Sequence, residues 1–134
     1  MGALAITGHV EQPSLLTFAQ LCALQPQVEN AAELAPGMNA SGLRLEVLFS
    51  LARLKPQASQ VVLISRDGAF SARMALQAAR ECLLLYRLGS APLPPALDGP
   101  MRLMVGEPGL CRTGKGEPCS SVRFLGGIEV LPAH

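Results

Sequence analysis

Hydrophobic positions along this chain recur with two different periods, and the change of period marks its elements. "LAITGHV" (4–10) is β-branched at its centre and runs into Glu11-Gln12-Pro13, which predicts an opening strand closed by a turn. In "SLLTFAQLCAL" (14–24), Thr17 suits the N-cap of a short helix with Phe18, Leu21 and Cys22 at i, i+3 and i+4, and Pro26 stops it. Cys22 is then expected in the core, where an unpaired cysteine behaves as a small hydrophobe. "QVENAAEL" (27–34) carries a weak strand pattern and "APGMNASG" (35–42) reads as a loop. Ser41 can cap the next helix, whose stripe is Leu43, Val47, Leu51 and Leu54 with Leu48 beside it. Arg44 and Arg53 face outward, and Lys55-Pro56 ends the helix.

Extended patterns follow. "QVVLIS" (60–65) is a continuous apolar run, expected to be buried on both faces, and Asp67-Gly68 marks a tight turn after it. "AFSARM" (69–74) alternates Phe70, Ala72 and Met74 against Ser71 and Arg73, a half-buried return strand that completes a hairpin. "ALQAARE" (75–81) fits a helical turn. "CLLLYRL" (82–88) fits a buried strand holding Cys82, with Gly89-Ser90 as a hairpin signal. "APLPPALDGP" (91–100) has too many prolines for regular structure and reads as a rigid connector. "MRLMV" (101–105) and "SVRFLGGIEVL" (121–131) are the last expected strands. At 134 residues these elements fit one domain, 1–134, with one core.

Composition narrows the partners. The chain is 49% hydrophobic and 16% charged, with 11 Lys+Arg against 10 Asp+Glu, so it has no polybasic surface; with no Trp and one Tyr it also lacks base-stacking platforms. Nucleic acid is therefore not an expected partner. No apolar run approaches the roughly 18–20 residues that span a bilayer, so no membrane span is expected. The compartment is left open: periplasmic or secreted if a signal segment has been removed, otherwise cytoplasmic.

The stretch "GLCRTGKGEPC" (109–119) resembles a phosphate loop, but Gly116 stands where Ser or Thr would bind magnesium, and a strand pattern follows instead of a helix. Cys111 and Cys119 flank this stretch, and a hairpin-like loop would bring their Cα atoms to the ~5.5 Å of a disulfide. Two free thiols are the alternative, and the compartment decides between them. His9 and His134 are the only histidines, too few for a metal site, and there is no nucleophile elbow. A set of cations beside glycines remains. Arg66, Arg102, Arg112, Lys115 and Arg123 either converge on an anion or lie as solvated charge at strand edges.

Taken in order, "ITGHVEQPSLLTFAQL", "SGLRLEVLFSLARLKP", "QVVLISRDGAFSARMAL", "LLLYRLGSAPLPPALDGPMRLMV" and "SVRFLGGIEV" resemble the oxidoreductase molybdopterin-binding domain of the sulfite oxidase family over nearly the whole chain. The most specific part runs from the Asp-Gly turn through "LGSAPLP" and "DGPMRLMV" to "VRFLGGIEV". The resemblance implies an α+β fold of mixed β-sheets with peripheral short helices, and molybdopterin as cofactor, its phosphate gripped by basic side chains. It places Arg102 on the arginine of the family's Gly-x-Pro-x-Arg segment and Arg123 where a lysine is usual. Asp67, Gly68, Phe70 and Lys115 complete the expected cofactor-binding set.

Departures from the pattern redirect the expected function. The segment "VENAAELAPGMNASG", where the family places the cysteine that ligates molybdenum, contains none. Asp98 replaces the histidine of the His-Gly segment, and Phe70 stands where tyrosine is common. The expectation is a non-catalytic module that binds a small anionic or pterin-type ligand, or a partner protein, in the cofactor cleft. The alternative is an active molybdopterin-dependent oxidoreductase.

Overall fold

In the computed structural model, residues 3–28, 40–88, 91–94, 99, 101–105, 111–113 and 121–133 are described, with backbone alone at 111–113 and 121. Among them, eleven strands and three short helices form a mixed α+β fold. One sheet has the order β2-β1-β11-β4-β5-β9, from β1 (Leu4–Gly8), β2 (Ser14–Leu16), β4 (Ala58–Ser65), β5 (Ser71–Ala75), β9 (Cys111–Thr113) and β11 (Leu125–Pro132). A second has the order β10-β8-β6-β3, with β7 also paired to β6. Its members are β3 (Ser41–Arg44), β6 (Leu83–Leu88), β7 (Ala91–Pro92), β8 (Arg102–Met104) and β10 (Ser121–Val122). The β1–β11 pair is parallel and the other pairs are antiparallel.

A single apolar cluster joins the two sheets. Leu4, Ile6, Val61, Leu63 and Val130 of the first sheet share it with Leu84, Tyr86 and Leu103 of the second. The helix α2 (Leu45–Ala52) adds Leu45, Leu48, Phe49 and Ala52 from one face. Strand β6 is buried on both faces, because Leu83 and Leu85 pack with Ala40 and Leu93 on the side away from that cluster. In β4, Val61, Leu63 and Ser65 are buried while Val62 and Ile64 are half-buried, so the continuous apolar run there marks one fully buried face and not two.

Several expectations are corrected. The helix expected to start at a Ser41 cap starts at Leu45, because Ser41–Arg44 pairs with β6, in the register Leu43 to Leu84 and Arg44 to Leu83. Gly42 makes that pairing possible: a Cβ there would lie 1.8 Å from the Leu84 carbonyl oxygen. The helix also ends earlier than expected, at the left-handed Arg53, whose N–H bonds the Phe49 carbonyl. Thr17 does cap α1 (Phe18–Cys22), in a capping box with Gln20. Cys22 is nevertheless exposed, since the one-turn helix buries only Leu21. Cys82 is buried as expected, its thiol 3.8 Å from the Met74 sulfur.

Three connections differ as well. Ala91–Pro92 within the proline-rich connector pairs with β6, in keeping with proline's tolerance of sheet edges. Part of the 109–119 stretch is not loop, since β9 pairs with β5 as an edge strand. The last expected strand is two: β10 pairs with β8 in one sheet and β11 with β1 and β4 in the other, so the chain changes sheets at Arg123–Phe124.

Candidate functional site

Two turns form the site. The first closes the β4–β5 hairpin. Gly68 N–H bonds the Ser65 carbonyl at 3.0 Å, and Gly68 has φ 75°, the left-handed conformation that only glycine adopts without strain. Asp67 locks the turn from within. Its Oδ1 accepts the Ser65 hydroxyl at 2.7 Å and the Ala69 N–H at 2.9 Å, while the Ser65 oxygen accepts the Phe70 N–H at 3.0 Å. The Ser65 hydroxyl, and after it the Ala69 N–H, hold the Asp67 carboxyl below its ordinary range, since both bond the ionised form.

The second turn, at Arg123–Phe124, carries the chain from β10 to β11. It is fastened at both ends: Arg66 N–H bonds the Phe124 carbonyl at 2.8 Å, and Leu125 N–H bonds the Met101 carbonyl at 2.8 Å. Phe124 adopts φ 51°, a left-handed conformation that is uncommon for a bulky residue, and its side chain is 41% exposed. Gly126 lets the two turns approach, because a Cβ there would lie 2.7 Å from the Arg66 Cα.

Between the turns lies a cleft of about 510 Å³, lined by Asp67, Phe70 and Arg123 together with Ser65, Arg66 and Phe124. Its walls are mostly apolar. A second hollow of about 520 Å³ lies on the other side of the hairpin turn, between Gly68 and the small residues Ala3, Ala5 and Gly127. Asp67 borders both.

Three expected residues, Asp67, Phe70 and Arg123, thus face one cavity, with Gly68 in the adjoining one. Arg123 lies in the sheet-changing turn and not in the final strand. Arg102 lies in β8 opposite Leu85, with its Nε buried, and is not among the described lining of either hollow. Lys115, Asp98 and Cys119 lie outside the described residues, as does the side chain of Cys111, so the expected Cys111–Cys119 pairing does too.

Ser65 and Phe124 were not expected in the site. Period-two alternation puts Phe124 on the same face as Val122, Ile128 and Val130, which would bury it. The register shift between Leu125 and Gly127 breaks that phase, so that Leu125 is buried and Phe124 is not.

No protein-family model matches this chain, and no curated protein matches it. Among solved structures, it is similar to the sulfane dehydrogenase SoxCD from Paracoccus pantotrophus, with a TM-score of 0.68 at 19% sequence identity over 97% of this chain. The chain covers 38% of the length of that one. At this identity the likeness is one of fold, and the fold is of the α+β class expected from the sequence, with two sheets and three short helices among the described residues.

Proposed function

We propose that this chain is a non-catalytic binding module that takes a small anionic or pterin-type ligand in the cleft between the 65–70 and 123–124 turns. The observation that carries this reading is that Arg123, remote in sequence from Asp67 and Phe70 and singled out with them by the sulfite oxidase resemblance, lines one cavity with both and with Arg66. Likeness of fold to a sulfane dehydrogenase supports the resemblance from which these residues were chosen, and not the choice between a catalytic and a non-catalytic role. Phe70 and Phe124 bring aromatic side chains to the lining, which suits a flat ring, and Arg66 and Arg123 bring positive charge, which suits an oxyanion.

Among the described residues, no cysteine is placed to hold molybdenum at the cleft by a thiolate. Cys82 is turned into the core against Met74, and Cys22 lies at the end of α1 beside Tyr86; neither lines the cleft. The segment in which the resemblance places the ligating cysteine has none. The likeness to a dehydrogenase favours an active molybdopterin oxidoreductase as the second reading.

Titration with a pterin carboxylate, followed by calorimetry and by backbone amide shifts, tests the proposal. Shifts should concentrate at 65–70 and 123–126, and Arg123→Gln should weaken binding by about fivefold or more, the worth of a charge-assisted hydrogen bond. Stoichiometric molybdenum in protein isolated from its native host would overturn the non-catalytic reading in favour of the second.

A further inference from the structure

Asp67 and Gly68 are neighbours in an exposed turn, and an Asp-Gly pair carries covalent chemistry of its own. Glycine has no Cβ to shield its nitrogen from the aspartyl side chain before it. Attack joins the Gly68 nitrogen to Asp67 Cγ, expels the carboxyl hydroxyl with the amide proton as water, and closes a five-membered succinimide. Water then adds at the Asp67 main-chain carbonyl, breaks its bond to the Gly68 nitrogen and leaves the chain joined through Cγ as isoaspartate. One water leaves and one returns, so mass is unchanged and nothing is oxidised or reduced.

The surroundings of the pair permit this reaction. Asp67, Gly68 and Ala69 are exposed, and nothing lies within 4 Å of where a Gly68 Cβ would stand, so solvent and the succinimide ring both have room. The hydrogen bonds of the turn oppose it at both reacting groups. The Gly68 N–H is engaged by the Ser65 carbonyl at 3.0 Å, which retards loss of the proton that attack requires. Asp67 Oδ1 is held by the Ser65 hydroxyl at 2.7 Å and the Ala69 N–H at 2.9 Å, which fixes the carboxyl in one orientation and favours its ionised form. Attack needs the neutral acid, because the ionised group has no hydroxyl to lose.

We propose that Asp67–Gly68 is a modification site, an isoaspartate-forming pair held back by the Ser65 hydroxyl and released when that latch opens. Ser65 controls the site because it is buried at the end of β4 and its oxygen also accepts the Phe70 N–H, so the strand sets where the carboxyl is held. Isomerisation lengthens the main chain of the turn by one carbon and moves the carboxylate onto the Asp67 Cα, away from its present partners. Both hollows border Asp67, so this one event alters the walls of both. The inference holds whatever the cleft binds.

Peptide mapping by mass spectrometry, with the isomers separated by chromatography, tests it. Both aspartates of the chain precede glycine, so Asp67–Gly68 and Asp98–Gly99 are read separately. The full chain and a synthetic peptide of residues 62–71 are incubated at neutral pH, well below the unfolding temperature. Isoaspartate at position 67 should accumulate at least about tenfold more slowly in the folded chain than in the peptide, because reaction waits on local opening of the turn. Ser65→Ala should speed it about fivefold to tenfold, the worth of a hydrogen bond to a charged group. Ser65→Thr keeps the hydroxyl and should stay close to the unsubstituted rate. Tyr86→Phe loses a hydrogen bond made by a different strand and partner, and should leave the rate unchanged. The proposal is overturned if the folded chain and the peptide isomerise equally fast, or if Ser65→Ala matches the unsubstituted chain. Equal acceleration by Tyr86→Phe and Ser65→Ala would also overturn it, since protection would then come from the fold at large and not from the latch.

Discussion

The hydroxyl of Ser65, 8% exposed, stands between two partners, donating to the Asp67 carboxylate and accepting the Phe70 N–H. Ser65→Ala removes both bonds and strands a part-buried N–H, so thermal or denaturant unfolding should show a loss of about 1–2 kcal/mol. The same variant should raise the Asp67 pKa toward its ordinary value, as read by carboxyl titration in NMR spectra. The sign for stability follows from the depressed folded pKa. Asp67 stabilises the fold above the unfolded carboxyl pKa and loses that contribution as pH falls through its lower folded value, so Ser65→Ala should flatten this part of acid unfolding. Asp67 and Gly68 were legible because turn chemistry is local: a short carboxylate that bonds a nearby N–H, then a residue free to take φ 75°. Ser65 was not, because a serine ending an apolar run looks like any polar strand end until its partners are in place.

At the scale of the element, the adjacent glycines of β11 have different surroundings. A methyl group on Gly126 would press to 2.7 Å from the Arg66 Cα, backbone that cannot rotate away, whereas on Gly127 it would meet only the Ala5 carbonyl oxygen at 3.8 Å. Gly126→Ala should therefore destabilise the fold by about 1–3 kcal/mol, as overpacking does, and displace the amide signals of Arg66 and Phe124. Gly127→Ala should leave both close to the unsubstituted protein, and equal effects from the two would show that the turns do not meet at Gly126. The dipeptide "GG" marks this as a special place in the strand without saying which glycine is essential. Helix and strand limits were blurred for a related reason. Leu43 and Arg44 satisfy a helical period, yet β6 is buried on both faces and takes them as strand partners, a long-range demand that local pattern does not carry. The hairpin of β4 and β5 was legible because its two strands and its turn are contiguous, with Val62 opposite Arg73 and Leu63 opposite Ala72.

Across the whole molecule, Tyr86 ties the segment that follows the first two strands to the second sheet. It lies in β6, 1% exposed; its hydroxyl donates to Gln27 Oε1 and its ring meets that of Phe18 edge-on at 5.8 Å. Gln27 in turn donates its amide N–H groups to the carbonyls of Leu21 at 2.9 Å and Leu24 at 2.7 Å, so one side chain fastens the end of α1 to Tyr86. Burial pushes the Tyr86 phenol up, against the opposing influence of the Arg87 guanidinium. A folded pKa above the unfolded one means that the neutral phenol stabilises the fold fully below the unfolded value near 10.0, and that this stabilisation is lost as pH rises through the folded pKa. Because Tyr86 is the only tyrosine and the chain has no tryptophan, tyrosinate absorbance reads this one group without interference. The absorbance should rise only above the range of a free tyrosine and together with the loss of structure seen by circular dichroism. Tyr86→Phe should cost about 1 kcal/mol at neutral pH for the hydrogen bond and remove the contribution of this phenol to alkaline unfolding. A tyrosine that titrates at its ordinary pKa in the folded chain would mean that the link between the end of α1 and the second sheet is open to water.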